Sequence, residues 1–282
     1  MKYAAIDIGS NAIRLLIQDS VITSKSNFYF KKISLTRMPV RLGKDVFTNG
    51  YVSKKNIIKL VDSFKAFKLI MKVNEVKHFR ACATSAMREA SNNNEVCREI
   101  YLQTGVNLEI ISGSEEAKLI FNNFNFIDLD NTNNYVLIDV GGGSTELTLI
   151  KKSKKIAAKS FKIGSVRQLE KQDTLHVEKE MKSWIQDNIN NKEPIIAIGT
   201  GGSINKLYNL SKHKLNGPMT LKDMIITTKL IASYSYQDRI RILNLKPDRA
   251  DVIVPSSELY QMVMKVSGAT KIVVPKFGLS DG

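Results

Sequence analysis

Apolar and polar positions change their period along the chain. Three short runs rich in β-branched and aromatic residues, Tyr3 to Ile8, Ala12 to Gln18 and Phe28 to Leu35, predict three successive strands. From Ser53 to Met71 apolar residues recur at three- and four-residue spacing, which predicts a helix. A strand at His78 to Ala83, a helix after Asn92, a strand at Leu108 to Ile111 and a helix opening near Ser114 follow. The same order begins again at Tyr135. Strands are expected near Tyr135 to Val140, Glu146 to Ile150 and Ile156 to Ile163, then a helix near Val177 to Ile189, a strand at Pro194 to Ile198 and a helix from about Ile204. The pattern predicts an α/β protein with an internally duplicated architecture.

The duplication leaves a local trace. Ala5-Ile6-Asp7-Ile8-Gly9-Ser10 parallels Leu137-Ile138-Asp139-Val140-Gly141-Gly142, with the aspartates 132 residues apart (139 − 7). Each half then has a strand ending in an aspartate, a tight glycine turn and a second strand returning antiparallel. Two such halves facing one another would form a cleft lined by both turns. The polar segment Asp128 to Asn134 lacks apolar periodicity and favours turns, so it is the expected connection between a first domain, 1–127, and a second, 128–282.

Four segments carry candidate chemistry. In Asp7-Ile8-Gly9-Ser10-Asn11, glycine permits close backbone approach, and Ser10 and Asn11 add donors suited to a phosphate. In Asp139-Val140-Gly141-Gly142-Gly143-Ser144-Thr145-Glu146, three glycines leave no Cβ between backbone donors and an anion, so Gly141 to Thr145 are the expected phosphate-binding residues. Asp139 and Glu146 flank that turn, and two carboxylates beside a phosphate cradle call for a cation; oxygen-only ligands favour magnesium. Gly199-Thr200-Gly201-Gly202-Ser203 runs from a strand into a helix, whose N-terminus attracts anions, although the same pattern is a common connection. In Ser112-Gly113-Ser114-Glu115-Glu116-Ala117, Ser112 and Glu115 have capping-box spacing, which leaves Glu116 without a structural explanation. Arg88 follows a further strand end, where a guanidinium suits phosphate oxygens; a salt bridge to Glu89 or Glu95 is the plainer alternative.

Composition narrows the class. With 282 residues and 43% hydrophobic content, the chain has material for two modest cores and is not of the disordered type. No run reaches the length of a membrane span, and Asp7 falls where a signal peptide needs apolar residues, so a cytoplasmic protein is expected. Cys82 and Cys97 form no bridge framework, and His78, His176 and His213 show no metal-ligand spacing. Neither a Gly-x-Ser-x-Gly elbow nor a P-loop is present. The 42 Lys and Arg against 27 Asp and Glu give +15, which favours a polyanionic partner without choosing among nucleic acid, polyphosphate, a phosphorylated nucleotide or an acidic surface. The run Lys151-Lys152-Ser153-Lys154-Lys155 reads as an exposed hairpin tip.

Taken in order, Asp7 to Asn11, Ala83 to Arg88, Ile111 to Ala117, Ile138 to Glu146 and Gly199 to Ser203 resemble the motifs of the exopolyphosphatase and guanosine pentaphosphate phosphohydrolase (Ppx/GppA) family. The resemblance spans essentially the whole chain. It implies duplicated ribonuclease H-like domains of the actin-like ATPase superfamily, in the short two-domain form. It further implies that Glu116 activates the attacking water, that Asp139 and Glu146 hold magnesium, and that Asn11, Arg88, Gly143 and Ser144 contact phosphates. Arg249 matches a family position near the substrate channel. Ser256-Ser257, after Val254-Pro255, stands in a turn where the family usually has glycine. The expected partner is polyphosphate or guanosine pentaphosphate, with no nucleic acid or membrane involved, and the expected assembly is a homodimer. A nucleotide-using kinase or ATPase and a non-catalytic polyphosphate or alarmone sensor are the other classes to be weighed.

Overall fold

The structure, a computed structural model, describes residues 1–23, 27–123, 130, 132–170, 173–189, 193–211, 217–275 and 278–282. Chain contacts divide it into two compact units, Met1–Ser112 with Leu279–Asp281, and Gly113–Gly278 with Gly282.

The first unit is built on β1 (Lys2–Ile8), β2 (Ile13–Thr23) and β3 (Asn27–Met38), followed by α1 (Leu42–Asn49), α2 (Lys54–Val73), β4 (His78–Ala83), α3 (Ser85–Glu89), α4 (Asn93–Thr104) and β5 (Glu109–Ile110). The sheet order is β3-β2-β1-β4-β5, antiparallel through the first three strands and parallel from β1 to β5. Helix α2 starts where the sequence expects it because the Ser53 hydroxyl accepts from the Asn56 N–H at 3.4 Å, an N-cap. Its buried residues Ile57, Leu60, Val61, Phe64, Phe67 and Met71 follow the helical period and cover one stripe.

The second unit opens with α5 (Gly113–Asn122) and continues through β6 (Asn134–Val140), β7 (Thr145–Lys151), β8 (Lys154–Phe161), α6 (Ser165–Leu169), α7 (Leu175–Asn188), β9 (Ile195–Thr200) and α8 (Gly202–Leu210). Next come β10 (Met219–Thr220), α9 (Leu221–Ser233), α10 (Tyr236–Arg241), α11 (Pro247–Ala250), α12 (Ile253–Ser267) and β11 (Lys271–Val273). The order β8-β7-β6-β9-β11 repeats that of the first sheet, with β10 added antiparallel at its edge. Strand β7 is buried at six successive positions, Thr145 to Ile150, as expected of a strand covered on both faces. Val136, Ile138, Ala197 and Ile272 from the sheet meet Leu259, Tyr260, Val263 and Met264 of α12 in the core.

Several sequence expectations take a different form here. Helix α5 packs against β7 and β8, so the segment assigned to 1–127 belongs by its contacts to the second unit. Ser256 and Ser257 lie within the opening residues of α12, not in a turn between elements; Pro255, the third residue, is tolerated there because first-turn N–H groups have no acceptor within the helix. Short α1, α3 and α6, and the elements from β10 to β11, carry no periodicity long enough to read. The Lys151–Lys155 hairpin tip is exposed as expected, closed by a two-residue turn at Lys152 and Ser153 with φ of 50° and 57°. Of the expected connection 128–134, residues 128, 129 and 131 lie outside the described residues, as does His213. Among the described residues no helix is long and apolar enough to cross a membrane.

Candidate active site

The second unit assembles its site around the β6–β7 hairpin. Antiparallel register sets Asp139 opposite Glu146 and Val140 opposite Thr145, so the two carboxylates share one sheet face. Between them the Gly141 N–H donates to the Ser144 carbonyl at 2.9 Å, closing the turn. Its carbonyls face the start of α6. Ser165 donates from N–H and Oγ to the Gly141 carbonyl (3.0 and 3.2 Å), Val166 and Arg167 N–H donate to that of Gly142 (2.8 and 3.0 Å), and Arg167 Nε donates to that of Gly143 (3.0 Å). A Cβ at Gly164 would stand 2.6 Å from the Gly142 carbonyl, so this close approach requires glycine.

Turning three carbonyls one way leaves the N–H groups of Gly142, Gly143 and Ser144 with no acceptor among the described residues. Three consecutive unclaimed donors form an anion-binding concavity. Thr145, at the end of this segment, anchors the hairpin: it is fully buried and its hydroxyl donates to the Ile163 carbonyl at 2.6 Å.

Strand β9 brings the second glycine turn beside the first. The Thr200 hydroxyl donates to Asp139 Oδ1 at 2.7 Å, and a Cβ on Gly201 would lie 3.2 Å from that same oxygen. Gly201 has φ of 108°, a conformation that L side chains rarely adopt. It caps α8 without a side-chain hydrogen bond, leaving the helix's first N–H groups for a ligand. Arg249 reaches the same place from α11, donating to the Gly202 carbonyl at 3.4 Å; a Cβ on Gly202 would lie 3.0 Å from its Nη2. Across the hairpin, Ser160 Oγ donates to Glu146 Oε1 at 2.7 Å. Tyr260, wholly buried, takes the Val140 N–H at 3.2 Å and donates to the Thr200 carbonyl. Burial and the nearby charges of Asp139 and Glu146 hold its phenol well above the usual value of 10.

Glu116 is buried on α5, whereas Glu115 is half-exposed. Among the described residues no three His, Cys, Asp or Glu side chains are grouped to hold one metal ion.

The first unit repeats the turn with different charges. Gly9 N–H donates to the Ala12 carbonyl at 3.2 Å, and the turn is braced from behind by Arg41 N–H on the Asn11 carbonyl (3.0 Å) and Gly43 N–H on that of Ser10 (2.7 Å). A Cβ on Gly43 would come within 3.1 Å of the Ser10 carbonyl oxygen. Opposite Asp7, however, stands Arg14, whose Nη1 pairs with Asp7 Oδ2 at 2.5 Å. Arg88 donates to the Ile111 carbonyl at 2.6 Å, tying α3 to the end of the first unit, while Ser85 Oγ donates to Glu89 at 3.3 Å. The structure thus groups Asp139, Gly141 to Ser144, Glu146, Gly201 to Ser203 and Arg249 in one unit, and Ser10 and Asn11 in the other.

Sequence reasoning missed Arg14, Gly43, Gly164, Arg167 and Tyr260. The offset of 132 that pairs Asp7 with Asp139 also pairs Arg14 with Glu146 (146 − 14), and was the available signal for Arg14.

Comparison with known proteins places this geometry. The Ppx/GppA phosphatase family matches residues 21–282. A bifunctional 3-dehydroquinate synthase/phosphatase from Fusobacterium nucleatum is 30% identical over 96% of this chain, which spans only 44% of that protein. Exopolyphosphatase 1 from Mycobacterium leprae is 22% identical over all of this chain and 88% of its own. Among solved structures, an exopolyphosphatase from Cytophaga hutchinsonii superposes with a TM-score of 0.85 at 24% identity, covering 100% of this chain and 96% of that one. That likeness establishes the fold, two α/β units built on sheets of the same five-strand order.

Proposed function

The chain belongs to the Ppx/GppA phosphatase family, and from that premise we propose that it releases the terminal phosphate of inorganic polyphosphate, with guanosine pentaphosphate as the second substrate to be tested. The observation that carries this reading is the carboxylate pair Asp139 and Glu146 set on either side of three unclaimed backbone donors. One arm suits a cation and the other a phosphoryl group. The net charge of +15 favours the longer polyanion, since a chain of phosphates gains from a broad basic surface by counterion release, whereas a nucleotide fills a single pocket.

The donor set fits magnesium. Among the described residues two carboxylates stand together here, both oxygen donors, and magnesium is commonly held by one or two carboxylates plus waters and substrate phosphates. Asp139 and Glu146 would hold it, each already oriented by a hydroxyl, Thr200 for one and Ser160 for the other. When bound, the ion supplies neutralisation of the negative charge on the phosphoryl oxygens.

The residues of the chain do the rest. Gly142, Gly143 and Ser144 N–H groups bind the oxygens of the terminal phosphoryl group, and the α8 N-terminus with Arg249 receives the next. Because their carbonyls are anchored by Ser165, Val166 and Arg167, these donors are oriented before the substrate arrives. Glu116 takes the proton of the attacking water, which enters in line with the leaving phosphate. Two free cysteines, one buried and one half-buried, are compatible with the proposed cytoplasmic setting.

A phosphate-release assay comparing polyphosphates of several lengths with guanosine pentaphosphate, each with and without magnesium, tests the reading. Expected is magnesium-dependent release that is fastest from polyphosphate. Binding of either substrate with no release would instead favour a sensor.

A further inference from the structure

The ladder between β6 and β9 ends at the pair Asp139 and Thr200. Beyond it the strands part into their glycine turns, and the Tyr260 hydroxyl stands where the next direct rung would be, accepting from the Val140 N–H at 3.2 Å and donating to the Thr200 carbonyl. One side-chain oxygen thus joins the residue after Asp139 to the residue before Gly201. The ring has room because Gly199 has no Cβ: one placed there would lie 3.3 Å from the ring. At Gly201, a Cβ would lie 3.6 Å from the phenol oxygen. The rest of the ring is packed in the core formed by α12 and the sheet.

Shape and packing would be served by phenylalanine. The hydroxyl adds a bond to each of two strand ends that a direct ladder bond no longer joins. Thr200, whose carbonyl it holds, presents its own hydroxyl to Asp139 Oδ1 at 2.7 Å. Tyr260 therefore acts on Asp139 through two covalently short paths, Val140 along one strand and Thr200 along the other. We infer that Tyr260 is a positioning residue, a latch that fixes the separation of the two glycine turns and the direction of the Asp139 carboxylate. Its phenol is suited to a permanent bridge, because burial and two nearby carboxylates keep it protonated far into alkaline solution.

The inference rests on the proposed reading of Asp139 as a cation ligand. Tyr260→Phe keeps the ring and removes the bridge. Expected is a folded protein whose kcat for phosphate release falls about tenfold while KM for polyphosphate stays within twofold, with binding of Mn2+ alone, measured by calorimetry, weakened about tenfold. Amide hydrogen exchange at Val140 should rise at least tenfold. A phenylalanine variant with unaltered kcat and Mn2+ affinity, changed only in melting temperature, overturns the inference and makes Tyr260 a core residue alone. Wild-type protein that neither binds Mn2+ nor releases phosphate overturns the reading of the site beneath it. Should the variant not fold, NMR of the wild-type protein with labelled tyrosine supplies the test. A Tyr260 hydroxyl proton that exchanges slowly and contacts the Val140 amide supports the latch, and one that exchanges as fast as an exposed phenol removes it.

Discussion

Arg14 and Glu146 occupy the same place in two hairpins, and their opposite charges assign different work to each. In the first, Asp7 is paired with a guanidinium at 2.5 Å; in the second, Asp139 faces a like-charged Glu146. Directly opposed like charges destabilise a strand pair unless something offsets them, which is why the second hairpin suits a cation. In the proposed reaction Glu116, buried on α5, takes the proton of the attacking water. Glu116→Gln is expected to fold and to bind polyphosphate normally while losing about a hundredfold or more in turnover, read by phosphate release beside direct binding. Tyr260 adds a pH dependence. Its folded value lies above the unfolded one, so the unfolded chain loses the proton first and stability drains away as pH rises above about 10. Thermal unfolding from pH 9 to 12 should show wild type losing stability faster than Tyr260→Phe by up to one proton's worth, about 1.4 kcal/mol per pH unit. At this scale the sequence displayed residue types and not partners. Asp139, Glu146 and the glycines were legible from their spacing, whereas only the fold reveals the Ile163 carbonyl that the Thr145 hydroxyl meets.

Each turn is an element held in shape by another. The glycine cradle owes its direction to the start of α6, and the closest approach is at Gly164. Gly164→Ala should push the Gly142 carbonyl away and misdirect the donors, lowering kcat/KM at least tenfold and the melting temperature by several degrees, checked by kinetics and calorimetry together. The β7–β8 tip is a second case. Lys152 and Ser153 both hold left-handed backbone that Asn-Gly adopts more readily. Replacing Lys152-Ser153 by Asn-Gly should stabilise the unit by up to about 1 kcal/mol in urea unfolding, without changing turnover. Strands and long helices were readable because their periods persist over many residues. Short α1, α3 and α6 are single or double turns fixed by what they pack against, and α12 was hidden by Pro255, which usually signals an end and here sits in an opening turn.

At the scale of the molecule, two sheets share one order of five strands and each carries one aspartate-and-glycine hairpin, and the duplication was visible in sequence from a single offset of 132. What the pattern could not fix was the assignment of α5, since a helix between repeats can pack on either side; contacts with β7 and β8 place it in the second unit. The charge of +15 belongs to this scale too. Raising salt from about 50 to 200 mM should increase KM for long polyphosphate much more steeply than KM for guanosine pentaphosphate, because the number of neutralised phosphates sets the slope. Steady-state kinetics at a series of salt concentrations measures it.

The Asp7–Arg14 contact has a last consequence. One hairpin has its counter-ion written into the polypeptide, always supplied and never diluted, while the other, in the function proposed above, would depend on what the surrounding solution can lend. A chelator can strip only the latter, so depletion should arrest the enzyme with its first half electrically unchanged.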